Sequence, residues 1–326
     1  MRKEFIKRVV EPSFAWWSAV GLATTITGMW AFWGSFEAFH EGWYFKTLAE
    51  NLVCTAQYLG LMMILLALSV LALCWRKVGA ALYEAFGIAF WVWIAMTRKV
   101  LTVGVVLGMM PMTLPPLVVG ILFWIGRPKQ LGRASKISII LPLGVAAAFS
   151  VEPVIRISGR VDDGRDGIRV LTGNGVKLAW APQGPGWPNP DPHDRVWKGG
   201  WLGPSWEEAR QTCRFLAADG KTVAETAQNI WRLPTAEEAA RSMARHGKNC
   251  GGLWDPASGR ASYTTKPDKE SPLWNPYSPI IYWWTSSERD GGHAYYIDFN
   301  GNVYPRNKDS TMSSQAFRAV RDLKPE

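Results

Sequence analysis

Apolar residues run almost without interruption through five stretches in the first half of the chain, and the pattern changes character near residue 155. The first, Phe14–Phe36, draws its polarity only from Ser, Thr and Gly; the second, Leu52–Trp75, is stopped by Arg76-Lys77. Gly79–Thr97 ends at Arg98-Lys99. Val100–Gly126 is interrupted by Pro111, Pro115 and Pro116 and followed by Arg127, Lys129, Arg133 and Lys136, and Ile137–Ile155 closes the series. A helix needs about 20 residues to cross the hydrocarbon core, so the pattern predicts about five transmembrane helices. Trp16, Trp17, Trp43, Trp75 and Trp124 fall near the span ends, where interfacial aromatics collect.

Beyond residue 155 the periodicities are those of a soluble fold. Ser205-Trp206-Glu207-Glu208 and Thr235-Ala236-Glu237-Glu238 both place Glu three residues after a Ser or Thr. Each reads as a capping box, predicting helices to about Ala217 and about Arg245, with Asp219-Gly220 and Gly247 as stops. Ile280–Thr285 is continuously apolar or aromatic, as a buried strand is. Ala294–Phe299, Asn300-Gly301 and Asn302–Tyr304 predict a hairpin, and Phe317–Val320 a last strand. Ala181–Gly203 and Lys248–Pro279 are long aperiodic loops rich in Gly, Pro, Asn and Trp. The predicted layout is an α-helical membrane bundle at 1–155, a linker at 156–167 and an α+β domain at 168–326.

Charge sharpens this division. Residues 1–160 hold 15 Lys/Arg against 7 Asp/Glu, whereas the remainder holds 21 against 20. The basic balance therefore belongs to the membrane half, where it reports topology, and a nearly neutral soluble domain argues against nucleic-acid binding. Five spans with a cytoplasmic N-terminus put Arg76-Lys77 and the Arg127–Lys136 loop inside and only Arg98-Lys99 outside. The soluble domain is then extracytoplasmic. With Gly79–Thr97 lying along the interface, four spans would put the most basic loop outside, against the positive-inside tendency. Glu37, His40, Glu41, Glu84 and Glu152 lie near span ends, so no proton or ion path is expected.

Four cysteines bear on chemistry. Cys54 and Cys74 fall within one apolar stretch, as small hydrophobes do. Cys213 and Cys250 form a disulfide only if the domain faces an oxidising compartment. No Cys/His cluster has metal-ligand spacing, and His193, His246 and His293 adjoin no nucleophile motif, so neither metal, cofactor nor catalytic residue is expected.

Several motifs in order carry a family resemblance. Thr172-Gly173-Asn174-Gly175 with Leu178-Ala179-Trp180 comes first, followed by Ser205, Glu208, Cys213 and the run Trp231-Arg232-Leu233-Pro234-Thr235. Tyr282-Trp283-Trp284-Thr285-Ser286-Ser287, Ala294–Phe299 and Arg318-Ala319-Val320-Arg321 complete the pattern. Over about residues 168–323 the chain resembles the Lcl C-terminal domain family, named from the tip of a bacterial collagen-like adhesin. That family is similar in fold to C-type lectin-like and formylglycine-generating domains. The resemblance implies a lectin-like domain in a bacterial plasma membrane protein. It also implies mainly structural roles for Ser205, Glu208, Trp231, Arg232, Leu233, Pro234, Thr235, Tyr282, Trp283, Thr285, Phe299, Arg318 and Arg321.

The leading expectation is a membrane-anchored binding protein presenting this domain to a glycan or protein. Loop aromatics Trp187, Trp197, Trp201, Trp254, Trp274 and Tyr277 are the ligand-binding candidates, because exposed rings stack on sugars and anchor protein interfaces. Calcium-dependent sugar binding is not expected, since Asp290, Asp298 and Asp309 are scattered. Formylglycine-type oxidation needs two adjacent thiols near the C-terminal end to hold copper, and Ala319 stands where many relatives have the last cysteine. The alternative is an accessory or assembly subunit packed against lipid and protein partners in the membrane.

Overall fold

A computed structural model describes residues 12–97, 102–184 and 202–323. The chain divides into two compact units, one through Trp43 plus Thr47–Ile155, the other Tyr44–Lys46 plus Arg156–Glu326.

The first unit is helical: α1 (Pro12–His40), α2 (Leu48–Tyr58), α3 (Gly60–Cys74), α4 (Arg76–Thr97), α5 (Val103–Ile125) and α6 (Leu131–Ser158, whose last turn belongs to the second unit). Among the described residues α4, α5 and α6 are long and apolar enough to cross a membrane. The consecutive helices α2 and α3, bent by 60°, make a fourth span if they are counted as one. Of the five expected spans, these helices account for three, or four. The stretch expected at Phe14–Phe36 is helical throughout but falls short in apolarity, because Trp, Thr and Ser take many of its positions.

Packing accounts for that composition. Ala15, Trp16, Ala19, Val20 and Ala23 are buried at helical spacing along α1, which packs against α3 and α5. Trp16 meets Phe123 edge-on at 5.5 Å. The α1 hydroxyls find internal partners: Thr24 Oγ1 bonds Ser138 Oγ at 3.3 Å, and Thr27 Oγ1 donates to the Ala23 carbonyl at 2.7 Å. Small residues and satisfied hydroxyls are what helix contacts in an apolar medium select. Pro111, Pro115 and Pro116 lie inside the single helix α5, as one span over this stretch requires; neighbouring helices in a membrane-type bundle sustain such a helix. Outward, Phe36, Ile64, Trp93, Ile121 and Ile140 are exposed.

The second unit is α+β and strand-rich. Its elements are β1 (Arg169–Gly173), β2 (Val176–Trp180), α7 (Trp206–Phe215), α8 (Ala236–Ser242), β3 (Ala244–Arg245), β4 (Lys248–Asn249), β5 (Leu253–Asp255) and β6 (Arg260–Ser262). β7 (Tyr282–Asp290), β8 (His293–Asp298), β9 (Val303–Asn307), β10 (Gln315–Phe317) and β11 (Val320–Asp322) follow. The main sheet has the order β10-β7-β8-β9, with β10 parallel to β7. A three-stranded sheet has the order β1-β2-β11, and β3-β4 and β5-β6 are small hairpins.

Both capping boxes form. Ser205 and Thr235 accept from the backbone N–H of Glu208 and Glu238, whose carboxylates accept in return from the cap backbone. The expected last strand over 317–320 is corrected: it is two strands in different sheets, separated by Arg318-Ala319. Trp180, Trp231, Trp283, Trp284, Phe299 and Phe317 are the largest fully buried apolar side chains of this core.

The expected linker is bound along part of its length within the second unit. Arg160 Nε and Nη2 donate to Asp268 Oδ1 at 3.1 and 2.7 Å, and the Val161 N–H donates to Glu270 Oε2 at 2.8 Å.

Candidate functional site

The loop aromatics separate into three groups. Trp187, Trp197 and Trp201 lie outside the described residues. Trp274 is corrected from ligand contact to core: it is 4% exposed and stacks face to face on Trp283, with centroids 3.5 Å apart and planes within 6°. An aperiodic loop hides this fate, because the stacking partner is distant in sequence. Trp254 is half-buried, edge-on to Tyr295 at 5.4 Å. Tyr277 is exposed at 42%, with Lys46 Nζ 5.7 Å from its ring centroid.

The motif residues hold the domain together. Arg232 grips Glu238 through both terminal nitrogens at 2.7 Å and reaches Asp322 at 3.0 Å, joining α8 to β11. Burial alone would raise the Glu238 pKa, but the bonds from Arg232 and Thr235 outweigh it, and the carboxyl lies below its ordinary range. Trp231 Nε1 donates to the Ala217 carbonyl at 2.8 Å, while Arg321 lies over the indole at 4.7 Å. Leu233 and Phe299 are buried, and Pro234 accepts from the Ser286 N–H at 2.7 Å. Thr285 Oγ1 donates to the Tyr295 carbonyl at 2.8 Å.

Cys213 and Cys250 are free thiols, each buried, which corrects the possible disulfide. Burial pushes the Cys213 thiol far up and the Cys250 thiol to about 11, with Glu270 adding to the latter and Arg245 opposing it. Thiols held protonated in this way are poor nucleophiles and metal ligands. Among the described residues no group of three or more His, Cys, Asp or Glu is placed to hold a metal ion.

The strongest surface constellation lies on one face of the main sheet. Strand register aligns Trp284, Tyr296 and Tyr304 in a cross-strand row. Tyr282 and Arg306, each two residues from a member of that row, share its face. Trp284 is sealed, its Nε1 donating to the Pro204 carbonyl at 3.0 Å. Toward the free edge the cover ends: Tyr296 is 8% exposed, Tyr304 45%. The Arg306 guanidinium carbon lies 5.1 Å from the Tyr296 ring centroid and 5.9 Å from that of Tyr282. Tyr282 and Tyr296 meet edge-on at 4.9 Å. The result is an aromatic step with a cation laid across it, and stacking orients that guanidinium, which has no carboxylate partner among the described residues. Arg306 also contacts Met312 Sδ.

Asp298, opposite Tyr282 in the register, anchors the β8–β9 turn. Its carboxylate accepts from the Asn302 N–H at 2.9 Å and from Asn302 Nδ2 at 2.8 Å. Burial nevertheless raises its pKa to about 6. Tyr304 and Arg306 escaped the sequence reading, which ended the strand at Tyr304. The period-two alternation Tyr304-Pro305-Arg306 was the available signal.

Two other polar regions are internally satisfied to different degrees. A cleft of about 440 Å³ between β2, α8 and β11 is lined by Lys177, Glu237, Glu238, Arg241 and Asp322. Most of these charges are paired: Glu238 and Asp322 with Arg232, Glu237 with Arg241. The second is the run Asp268-Lys269-Glu270, each residue 1% exposed. Burial and the neighbouring Arg160 hold the Lys269 amine well below its ordinary pKa, against the pull of Asp268. Its Nζ lies 5.6 Å from the Tyr44 ring centroid.

No protein-family model matches the chain, and no curated protein or solved structure matches it either. The class of protein follows from its parts: a chain with, among the described residues, three or four helices long and apolar enough for a membrane and a strand-rich α+β unit.

Proposed function

We propose that this chain is a membrane-anchored recognition protein whose α+β domain binds a glycan or protein ligand through the Tyr282–Tyr296–Tyr304–Arg306 face. The carrying observation is that face itself: an exposed ring beside a guanidinium already oriented by two further rings. Rigid aromatics lose little entropy on binding and offer both a stacking plane and a hydroxyl, while Arg adds a directed donor fork. The motif order that resembles the Lcl C-terminal domain family, and hence a lectin-like fold, supports the same reading.

In this reading α1 also crosses the bilayer. Its hydroxyls are satisfied within the bundle, and counting α2–α3 as one span makes five crossings. The charge distribution then favours a cytoplasmic N-terminus and an extracytoplasmic domain in a bacterial plasma membrane. No catalytic step is assigned, since the buried, protonated thiols do not suit copper–oxygen chemistry.

The test uses the full chain in lipid nanodiscs on arrays of glycans and of envelope proteins, beside Tyr304→Ala and Arg306→Gln. A topology reporter fused after Glu326 accompanies it. The expected result is an extracytoplasmic reporter and a ligand whose affinity falls at least about tenfold in either variant, about 1.4 kcal/mol. A cytoplasmic reporter, or binding indifferent to both variants, sinks the proposal.

An accessory or assembly role is the second reading. It is favoured by a groove of about 590 Å³ along α6, lined by Ile137, Ile140, Leu141, Gly144, Ala148 and Phe149. A stoichiometric membrane partner, lost on Gly144→Leu while array binding is absent, would establish it instead.

A further inference from the structure

Arg318 is the one charged residue in a buried run. Gln315, Ala316, Phe317, Ala319 and Val320 are each at most 1% exposed, and Arg318 itself is 7% exposed. The backbone gives it this place because the chain leaves β10 and enters β11 of the other sheet within two residues, carrying the side chain between them. Nε donates to the Ala181 carbonyl at 2.7 Å, and the guanidinium carbon lies 5.5 Å from the Trp283 ring centroid. Those contacts account for one N–H, the stem and one face. Among the described residues no acceptor is placed against either Nη nitrogen.

The surrounding charges make this costly. After desolvation, the charges that act on Arg318 are Arg169, which repels it, and Asp166, which attracts it through space. Arg169 is already engaged: Nη1 and Nη2 bond the two oxygens of Asp163 at 2.7 and 2.5 Å, and its buried Nε has no acceptor. Arg160, by contrast, has Asp268 against two of its nitrogens. A buried cation is normally retained only when paired, since desolvating one costs several kcal/mol. The desolvation lowers the Arg318 pKa to about 9. A purely structural role, joining the end of β2 to the β10–β11 crossing, explains the Ala181 bond but not a fork that meets no acceptor among the described residues.

We propose that the Arg318 guanidinium is a receptor for an oxyanion, a carboxylate or phosphate group whose paired oxygens match the fork. Stacked on Trp283 and fixed at Nε, it is pre-oriented for bidentate bonding, the geometry that distinguishes Arg from Lys. This site is independent of the tyrosine face and stands or falls without it. An acidic sugar and a free inorganic anion share this chemistry.

The experiment titrates the full chain in detergent with glucuronate, phosphate or sulfate against chloride at matched ionic strength. It reads calorimetric binding and the thermal midpoint of wild type, Arg318→Lys and Arg318→Gln. The expected result is saturable binding with an upward midpoint shift, weakened about tenfold in Arg318→Lys and abolished in Arg318→Gln. Glucuronate binding tighter than phosphate identifies an acidic-sugar site, and equal binding identifies a general oxyanion site. Both results support the receptor. Absence of saturation in wild type, or equal responses in all three proteins, overturns it. Should Arg318→Gln not fold, phenylglyoxal modification of wild type replaces it. Anion-dependent protection of the Arg318 peptide, read by mass spectrometry, supports the site, and unprotected modification overturns it.

Discussion

The two units bury different mixtures of side chain. In the helical unit many buried positions along α1 are small or hydroxylated (Ala15, Ala19, Ala23, Thr24, Thr27), with Trp16 a large exception, while Trp33 and Phe36 are more than half exposed. In the α+β unit Trp180, Trp231, Trp283 and Trp284 are inside, and charge covers the outside. Burying a large ring yields free energy only when the alternative is water. Between helices surrounded by lipid that gain vanishes, so close backbone approach and internal hydrogen bonds decide the contacts. The sharpest tests of the contrast replace a ring in one unit and a glycine in the other.

Trp283→Ala is the largest disruption. It removes the ring that stacks on Trp274, sits 5.9 Å from Trp180 and carries Arg318 over its face. Core Trp-to-Ala changes cost about 3–5 kcal/mol. The α+β unit is therefore expected to become protease-sensitive at growth temperature while the helical unit stays intact. Limited proteolysis with mass spectrometry reads this directly. Equal protection of variant and wild type would show that the Trp274–Trp283 stack carries little stability.

Asp298→Asn tests the same core through pH. The carboxyl titrates near 6 in the folded domain, against an ordinary value of 3.8. Below about pH 4 both folded and unfolded chains hold the proton. As pH rises toward 6 only the folded chain keeps it, so unfolding becomes progressively easier by about 3 kcal/mol in all. Above 6 the loss is complete. Asp268 and Glu238, both held below the ordinary range, slope the opposite way and are unchanged in the variant. The difference in midpoint between Asp298→Asn and wild type should therefore shift between pH 4 and 6 and level off above. A difference independent of pH would place the Asp298 pKa at its ordinary value.

Gly79→Val probes the helical unit. A Cβ at 79 would lie 2.2 Å from the Ala72 Cα, so the tight α3–α4 hairpin must open. Overpacking of this kind costs about 1–3 kcal/mol. The detergent-solubilised chain is expected to unfold at lower SDS fraction, with proteolysis of the α+β unit unaltered. An unchanged SDS midpoint would mean that the hairpin is loosely packed.

What could be read from the residues alone follows the range of the forces involved. Both capping boxes were legible because every participant lies within four positions. The β8–β9 hairpin was legible because Asn300-Gly301 marks its turn and Gly301 adopts φ +84°. The division of 317–320 between two sheets was not, because Phe317 pairs with Trp284 and Val320 with Trp180, far away in sequence. Trp274 failed as a ligand candidate for the same reason: exposure is decided by Trp283, which no local pattern announces.

The smallest expected change in stability, and the one that bears most on function, is Tyr304→Ala. The ring is 45% exposed at the free edge of the main sheet and pairs with Tyr296 across β8–β9, centroids 5.7 Å apart. A half-exposed ring at a sheet edge contributes about 0.2–1 kcal/mol through such a pair. The variant should therefore melt close to wild type while losing array binding, the reverse of Trp283→Ala, which loses the fold first. Arg306 discriminates within this result, because its guanidinium is laid on Tyr296 and Tyr282 rather than on Tyr304. If Tyr304 supplies a stacking plane, Tyr304→Phe retains binding and Tyr304→Ala does not. If its hydroxyl makes the contact, Phe and Ala fail alike. If both variants bind as wild type does, the exposed ring is only an edge residue and recognition must lie elsewhere in the domain.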